Sequence, residues 1–438
     1  MKAASFQQFT HQQHVLKRKE MYIGPDTSEP CSAFVLDKDG LQMEMREGLL
    51  YSPAMLKVVD EILVNAVDHA TRSRQLLSAY KGAQTHSDAG GDDGADGMSE
   101  GGASSEGGAA ASAAAAPHVV KKIEVSLDRE IGVITVANDG DGIPVEKHDT
   151  HGGIYVPELI FGHLLTSANF DDDDNAGGSK RTVGGQNGIG AKACNILSRW
   201  FEIDIVDRSR RLRYRQRFED NMSIIGVPRI EKTAARRSST TVRFLPDYLR
   251  LGMSAGRLSD DMHALIVKRV YDVAAVTPAD VAVWLDGKRI EVKTFERYID
   301  MYVGPRGQAG RAYERPCDGW EIAAALSDGT GLKQVSFVNG VATLRGGKHV
   351  DHVVSQICRK LCDLVAARRK GVTAKPQYVR DNLLVFVRAT VPGPRFDSQS
   401  KETLTTLPSQ VRVVSSLCPA LFTHSRIHAF MNAVRWQG

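Results

Sequence analysis

A chain of 438 residues, 42% hydrophobic and 25% charged, has the composition of a soluble globular protein and room for two or three domains of ~100–200 residues each. A formal net charge of +4 marks no polyanion binder by composition, so any nucleic-acid surface must be local. No stretch approaches ~18 uninterrupted apolar residues, which argues against a membrane span. The 6 cysteines, scattered and without a C-x-x-C pair, point to a reduced, intracellular protein rather than a disulfide scaffold.

Residues 1–30 carry few core signals. Met1–His14 is polar and glutamine-rich, with neither an apolar signal core nor the arginines of a transit peptide. Lys17-Arg18-Lys19 and Met21-Tyr22-Ile23-Gly24-Pro25 follow, and the segment reads as an arm lying on something else. Leu41–Leu50 predicts a short strand and turn, after which Ser52-Pro53 supplies a helix N-cap and a first-turn proline. The apolar-rich run 53–80 holds Glu61, Asn65 and His69, stacked four apart on one face, while Val59, Ile62, Leu63, Ala66 and Ala70 point largely elsewhere. Left unpaired in a core, such a carboxylate and carboxamide would cost on the order of 1–3 kcal/mol each. They read as a general base one turn from an oxygen ligand for a metal, or else as the wet side of an ordinary amphipathic helix.

Lys81–Pro117 is built of Gly, Ala, Ser, Asp and Glu, with one Met as its only large apolar side chain. It buries too little to offset ordering entropy, so a disordered, passive insertion is expected there. Val119–Asp128 and Ile131–Ala137 predict a hairpin whose second strand runs into Asn138-Asp139-Gly140-Asp141-Gly142-Ile143-Pro144. That end reads either as a pocket floor open to a flat ligand or as a plain tight turn. Tyr155–Leu165 is a short helix led by Pro157, followed by Ser167-Ala168-Asn169 and an acidic loop. Gly184-Gly185-Gln186-Asn187-Gly188-Ile189-Gly190-Ala191-Lys192 then enters a helix. Glycines at a helix start bare N–H groups to phosphates. The spacing is not that of a Walker A loop, and no strand lies just upstream as a dinucleotide fingerprint requires, so a mobile lid over a nucleotide fits better.

Alternating stretches at Phe201–Val206, Leu212–Phe218 and Thr240–Leu245 complete a sheet. A helix near Ser259–Ala274 and the break at Thr277-Pro278 suggest a new domain beginning near residue 255. Strands follow at Val281–Leu285, Glu321–Leu326, Gln334–Val338 and Leu383–Val391, with a long helix at about His349–Arg368. Lys or Arg at 359, 360, 368, 369, 370, 375 and 380 face one acid, Asp363, across this helix end and its sequel. They suit a nucleic-acid backbone with salt-dependent affinity, or equally a solvated helix end whose cations favour the C-terminal dipole. Lys401, in a polar loop, reads from spacing alone as surface.

Taken together, Glu61-x-x-x-Asn65, Asn138-Asp-Gly-Asp-Gly142 and the glycine lid resemble the N, G1 and G2 boxes of the Bergerat (GHKL) nucleotide fold, the ATPase shared by type II topoisomerases, MutL, heat-shock protein 90 and histidine kinases. The text around Ile154–Asp172, Tyr271-Asp-Val, Ser336-Phe-Val-Asn339 and Gln399-Ser-Lys-Glu-Thr-Leu-Thr405 narrows the resemblance to eukaryotic-type DNA topoisomerase II. It runs from about Phe6 to the C-terminus, apart from 81–117 and a divergent patch near 305–318.

The resemblance implies an α+β chain. A dimer-exchange arm (1–30) precedes a GHKL α/β sandwich ATPase domain (31–255, with the insertion 81–117) and a transducer domain (256–438) of the ribosomal-protein S5 domain 2-like kind. It further implies an N-terminal fragment that hydrolyses ATP and clamps double-stranded DNA as a homodimer, without cutting it, in the nucleus or a DNA-containing organelle. Carried over, Glu61 polarises the attacking water and Asn65 holds Mg²⁺ on the phosphates. Asn138 meets the base, with Asp139 and Gly142 shaping its pocket, and Ser167, Ala168 and Asn169 surround the ribose and phosphates. The lid, Gly185, Gln186, Asn187, Gly188, Ile189, Gly190, Ala191 and Lys192, wraps the triphosphate. Gln399, Ser400 and Lys401 reach in from the transducer, with Lys401 on the γ-phosphate, and Tyr22 reaches the partner's site. Three positions depart from the family: His69 stands for a second asparagine, Ala168 for a serine and Gln186 for an arginine. A MutL-like mismatch-repair ATPase, a histidine kinase and a non-enzymatic DNA clamp are the alternative readings.

Overall fold

The computed structural model describes residues 8–88, 116–150, 152–164, 166, 182–185, 188–305, 311–368 and 374–410. Two short helices, α1 (His11–Lys17) and α2 (Glu20–Ile23), open it; Thr10 and Gln13 form a reciprocal capping box at the start of α1. They do lie on something else, which here is their own chain. Val15 and Ile23 are fully buried in the main core, and Gln12 Nε2 donates to the Asn221 carbonyl at 2.6 Å. Strands β1 (Glu29–Leu36) and β2 (Met43–Tyr51) pair antiparallel; only the second announces itself in the sequence.

Helix α3 (Pro53–Asp88) starts where Ser52 and Pro53 predict, Ser52 Oγ accepting the Met55 N–H at 3.1 Å. From Ala54 through Ala70 every residue is buried except Asn65 and His69, which are partly so. A helix buried on all sides needs neighbours on all sides, and the rest of the fold supplies them. From Gln75 to Thr85 its residues are exposed or half-buried, and it stays helical through Asp88. The expected disorder from Lys81 is therefore corrected for residues 81–88, because extending a formed helix costs far less than starting one; residues 89–115 lie outside the described residues.

The chain continues through β3 (Lys122–Leu127), β4 (Ile134–Asp139), α4 (Val156–Gly162), α5 (Gly190–Ile196), β5 (Ser198–Asp207), β6 (Leu212–Glu219), β7 (Ile224–Ile225), β8 (Arg229–Lys232), β9 (Ser239–Pro246), α6 (Asp260–Val276), β10 (Ala282–Leu285) and β11 (Lys288–Arg289). These strands form one nine-stranded sheet in the order β11-β10-β3-β4-β9-β5-β6-β7, with β8 also on β6. Period-2 alternation turns Phe201, Ile203 and Ile205 of β5 into the core. The opposite face carries interleaved charges, such as Asp204 within 3.2 Å of Arg215. The sheet does not close at the boundary expected near residue 255. Strand β10 lies parallel to β3, and α6 packs across α3, so the apolar run after Thr277-Pro278 completes the first sheet rather than opening a second.

The remaining elements are α7 (Phe295–Val303), β12 (Ala312–Cys317), β13 (Trp320–Leu326), β14 (Lys333–Val338), β15 (Val341–Ala342), α8 (Lys348–Arg368), α9 (Pro376–Asp381), β16 (Leu383–Ala389) and a 3-10 turn at Pro408–Gln410. Their strands order as β12-β13-β16-β14-β15. Strand β16 is apolar except for Arg388 because both its faces are covered: Leu384 and Phe386 join the core shared with the first sheet, while Leu383, Val385 and Val387 pack in a second core with α8. The two sheets are thus joined by apolar contact, Phe386 meeting Tyr302 edge-on at 5.2 Å. They are also joined by a buried guanidinium: Arg269 on α6 donates to Asp60 at 2.6 Å and to the Gly340 carbonyl of the β14–β15 turn at 2.9 Å.

Candidate functional site

A cavity of about 360 Å³ opens between the middle of α3, the end of β4, the start of α5 and the 399–401 loop. It gathers motifs scattered over the whole chain. At one end lies Glu61, 5% exposed and deep in the wall. Lys57, one turn earlier on α3, sets its ammonium 2.6 Å from Glu61 Oε1, and Lys401 arrives from the far loop to 3.8 Å. Burial alone would push the Glu61 carboxyl up, but the Lys401 and Lys57 ammoniums more than offset it and hold it down at about 2. Burial likewise lowers the Lys401 ammonium, with Glu61 restoring only part of the loss. Lys401 sits in the left-handed region, φ 61°, its N–H bonded to the Ser398 carbonyl at 3.1 Å; this tight turn aims the side chain inward.

Gly190, the first residue of α5, lies against the same carboxylate. A Cβ there would fall 1.8 Å from Glu61 Oε2. Gly190→Ala must therefore displace either the helix start or the carboxylate. We expect the nucleotide turnover that the resemblance implies to fall about 10²-fold, the scale of a 1 Å misplacement, with circular dichroism and a thermal melt confirming that the fold survives.

The other end is a hydrogen-bonded floor. Asn138 Nδ2 lies 2.7 Å from His69 Nδ1 and donates to the Asp139 carbonyl at 2.8 Å, and His69 Nε2 lies 2.8 Å from the Asp141 carbonyl. Gly142 leaves room for the ring, since a Cβ there would come 2.8 Å from His69 Cε1. Asp139, expected to shape the base pocket, instead turns its carboxylate to β3 and accepts the N–H groups of Lys121 and Lys122 at 2.7 and 2.8 Å. A carboxylate at a strand end satisfies its neighbour's free donors before it meets solvent. Asp141 is tied to Arg208 through two hydrogen bonds, at 2.8 and 2.7 Å. Burial would raise its carboxyl, but this guanidinium, the His118 N–H and the Ser238 hydroxyl hold it at about 2.

The third side is the lid. Gly185, Gly188, Ile189 and Ala191 line the cavity. The Asp68 carboxylate, two turns along α3 from Glu61, accepts the Gly184 and Gly185 N–H groups at 2.8 and 2.7 Å. Lys192 also lines the cavity, yet its ammonium donates to the Thr166 and Gly188 carbonyls at 2.6 and 2.5 Å, and burial pushes it down to about 8. Asn65 turns its amide into the cavity and has no protein hydrogen-bond partner among the described residues. Gln399 lines the cavity beside Lys401, whereas Ser400 faces away and bonds to Ser398 at 2.7 Å. Tyr22 pairs its hydroxyl with His14 Nδ1 at 2.8 Å, outside this cavity. Ser167, Ala168, Asn169, Gln186 and Asn187 lie outside the described residues.

Sequence reasoning passed over Lys57, Asp68, Arg208 and Arg269. The first two carried a signal: Lys57 and Glu61 are an i,i+4 cation–acid pair, and Asp68 shares the Glu61 face two turns on. Arg208 and Arg269 meet their partners only through the fold. Of the basic stretch, Arg359, Lys360 and Lys375 are exposed and Arg380 pairs with Asp351 at 3.6 Å; Arg369 and Lys370 lie outside the described residues. No cluster of three or more His, Cys, Asp or Glu with metal-binding geometry occurs among the described residues, and no helix there is long and apolar enough to cross a membrane.

Comparison with known proteins adds independent evidence. The family model described as DNA gyrase B matches residues 292–430. A DNA topoisomerase 2 of Penicillium chrysogenum is 36% identical over 92% of this chain and 23% of its own length; one of Arabidopsis thaliana is 37% identical over 91% and 24%. The chain thus spans about a quarter of the length of the curated relatives it matches. The crystal structure of the ATPase region of Saccharomyces cerevisiae topoisomerase II superposes with a TM-score of 0.78 at 31% identity, covering 98% of this chain and 100% of that one. The ATPase and transducer domains of Balamuthia mandrillaris DNA topoisomerase II give 0.78 at 32% identity, covering 100% and 96%.

Proposed function

Since this chain belongs to the type II DNA topoisomerase family and matches solved ATPase regions over nearly its whole length, we propose that it is the ATP-driven gate of such an enzyme. The observation that carries the reading is Lys401: a lysine beyond the second sheet lies buried 3.8 Å from a carboxylate on the first helix of the nucleotide cavity. Such a contact lets one cavity report on the relation between two halves of the chain.

In this reading ATP lies with its base on the Asn138 floor and its phosphates under the Gly185–Gly190 backbone. Glu61 orients the attacking water and accepts its proton, and Lys401 meets the γ-phosphate. Gln399 stands beside it. The residues present suit Mg²⁺: Asn65 offers a single neutral oxygen one turn from Glu61, and a cation that keeps several waters and binds phosphate oxygens needs no all-protein cage. When bound, Mg²⁺ neutralises charge that develops on the phosphates. Asn65 then orients it, and the lid excludes bulk water from the phosphates.

Closing the gate on a second copy would trap a DNA duplex, with the exposed bases near residues 359–380 as the backbone contact, in the nucleus or another DNA-containing compartment. The test is sedimentation velocity with and without a non-hydrolysable ATP analogue, beside a phosphate-release assay with and without double-stranded DNA. We expect a monomer-to-dimer shift with the analogue and measurable turnover. A monomer at saturating analogue would sink the gate.

A further inference from the structure

We propose that His69 is a positioning residue that makes this cavity selective for a purine carrying an amine rather than a carbonyl at ring position 6, adenine over guanine, by fixing which end of the Asn138 carboxamide faces the ligand. The proposal rests on reading the cavity as a nucleoside triphosphate site.

The orientation follows from counting donors. A carboxamide nitrogen has two N–H bonds, and both are taken: one points at His69 Nδ1, 2.7 Å away, the other at the Asp139 carbonyl, 2.8 Å away. Turning the amide over would set two carbonyl oxygens against each other. The ring is fixed just as firmly. His69 Nε2 faces the Asp141 carbonyl, which can only accept, so Nε2 carries the proton and Nδ1 is the acceptor. Burial lowers the ring's proton affinity and favours this neutral form. The bare Cα of Gly142 holds the ring from the other side.

Asn138 Oδ1 is what remains. Asn138 lines the cavity, and among the described residues its Oδ1 has no protein partner, which leaves it as an acceptor for a ligand donor. The 6-amino group of adenine satisfies it. Guanine sets a carbonyl oxygen at the same ring position, acceptor against acceptor, and a site built to bond one group rejects the analogue lacking it. Sequence marked position 69 only as a departure from its family; the hydrogen-bond directions give it a task.

Two substitutions separate this task from mere space filling. His69→Asn keeps a carbonyl acceptor near the Nδ1 position and loses the donor to Asp141; His69→Gln keeps reach to the Asp141 carbonyl and loses the acceptor. KM and kcat are measured for ATP and GTP in each. We expect the wild type to favour ATP in kcat/KM by at least about tenfold. His69→Gln should bring that ratio toward one, mainly through KM, and His69→Asn should hold it. Equal loss in both variants, or retention in His69→Gln, overturns the proposal. A wild type that turns over neither nucleotide overturns the ATP-site reading instead. The ring tautomer is a separate check on the intact chain: ¹⁵N NMR should place the proton on Nε2, and a proton on Nδ1 refutes the mechanism whatever the nucleotide results.

Discussion

Replacing Glu61 by Gln should slow ATP turnover by about 10²- to 10⁴-fold, the usual contribution of a positioned general base, while nucleotide affinity stays within a few-fold of wild type. Glutamine keeps the shape beside Gly190 and loses only the charge and the basic oxygen. The structure adds a point about timing. With two ammoniums beside it, one at 2.6 and one at 3.8 Å, Glu61 is a weak base before nucleotide arrives, its carboxyl held at about 2. Lys401 is the largest of the opposing influences. A γ-phosphate that draws Lys401 away would raise the carboxylate's proton affinity when a substrate water needs it. The same charges give the substitution a signature in stability. The folded carboxyl titrates at about 2, below its ordinary 4.5. Its pairing therefore stabilises the fold above pH 4.5 and is lost as the pH falls through about 2. Melting temperatures of wild type and Glu61→Gln should differ near neutrality and converge toward pH 2. Wild-type turnover by Glu61→Gln would mean that the base is another group.

Much of this site could be read from residues alone because its parts are local. The α3 stripe shows at a spacing of four, the Asn138–Gly142 turn shows as polar residues and glycines at a strand end, and the lid shows as glycines opening a helix. Whether the stripe faces water or a cavity could not be settled locally. Glu61 is buried because the lid helix and the 399–401 loop close over it, and each lies far along the chain. Arg269 and Arg208 were invisible for the same reason: a lone arginine acquires meaning when Asp60 or Asp141 is folded against it. The domain boundary was misplaced because Val281–Leu285 looks like any strand. Which sheet an apolar strand joins is decided by topology, and here β10 adds parallel to β3. Asp139, expected to shape the base pocket, meets that pocket through its carbonyl, which accepts from Asn138, because the Lys121 and Lys122 N–H groups have already claimed its carboxylate.

Lys401→Ala should uncouple the gate from the nucleotide. Spacing gave this lysine no task, and family resemblance alone placed it at the phosphate; its position in the fold makes it the proposed discriminator. It is 3% exposed, in a turn held by the Lys401 N–H to Ser398 and braced by the Arg345–Glu402 ion pair at 3.0 Å. A ligand shifts a conformational balance only through interactions that differ between the two states. ATP and ADP differ by the γ-phosphate alone, so in the proposed reading a cation delivered from the second sheet's side is the group through which that difference acts on the gate. In the wild type we expect the non-hydrolysable ATP analogue to drive dimerisation and ADP to leave the chain monomeric. In Lys401→Ala the two nucleotides should behave alike and both leave it monomeric, with turnover reduced about 10²- to 10³-fold, as for loss of one preorganised group that stabilises transition-state charge. Binding of ADP should be nearly unchanged, because no β-phosphate contact is removed. Sedimentation velocity and nucleotide titration read these outcomes separately. A Lys401→Ala chain that dimerises on the analogue as readily as wild type would show that the γ-phosphate is sensed elsewhere, with the lid backbone anchored by Asp68 the next place to look.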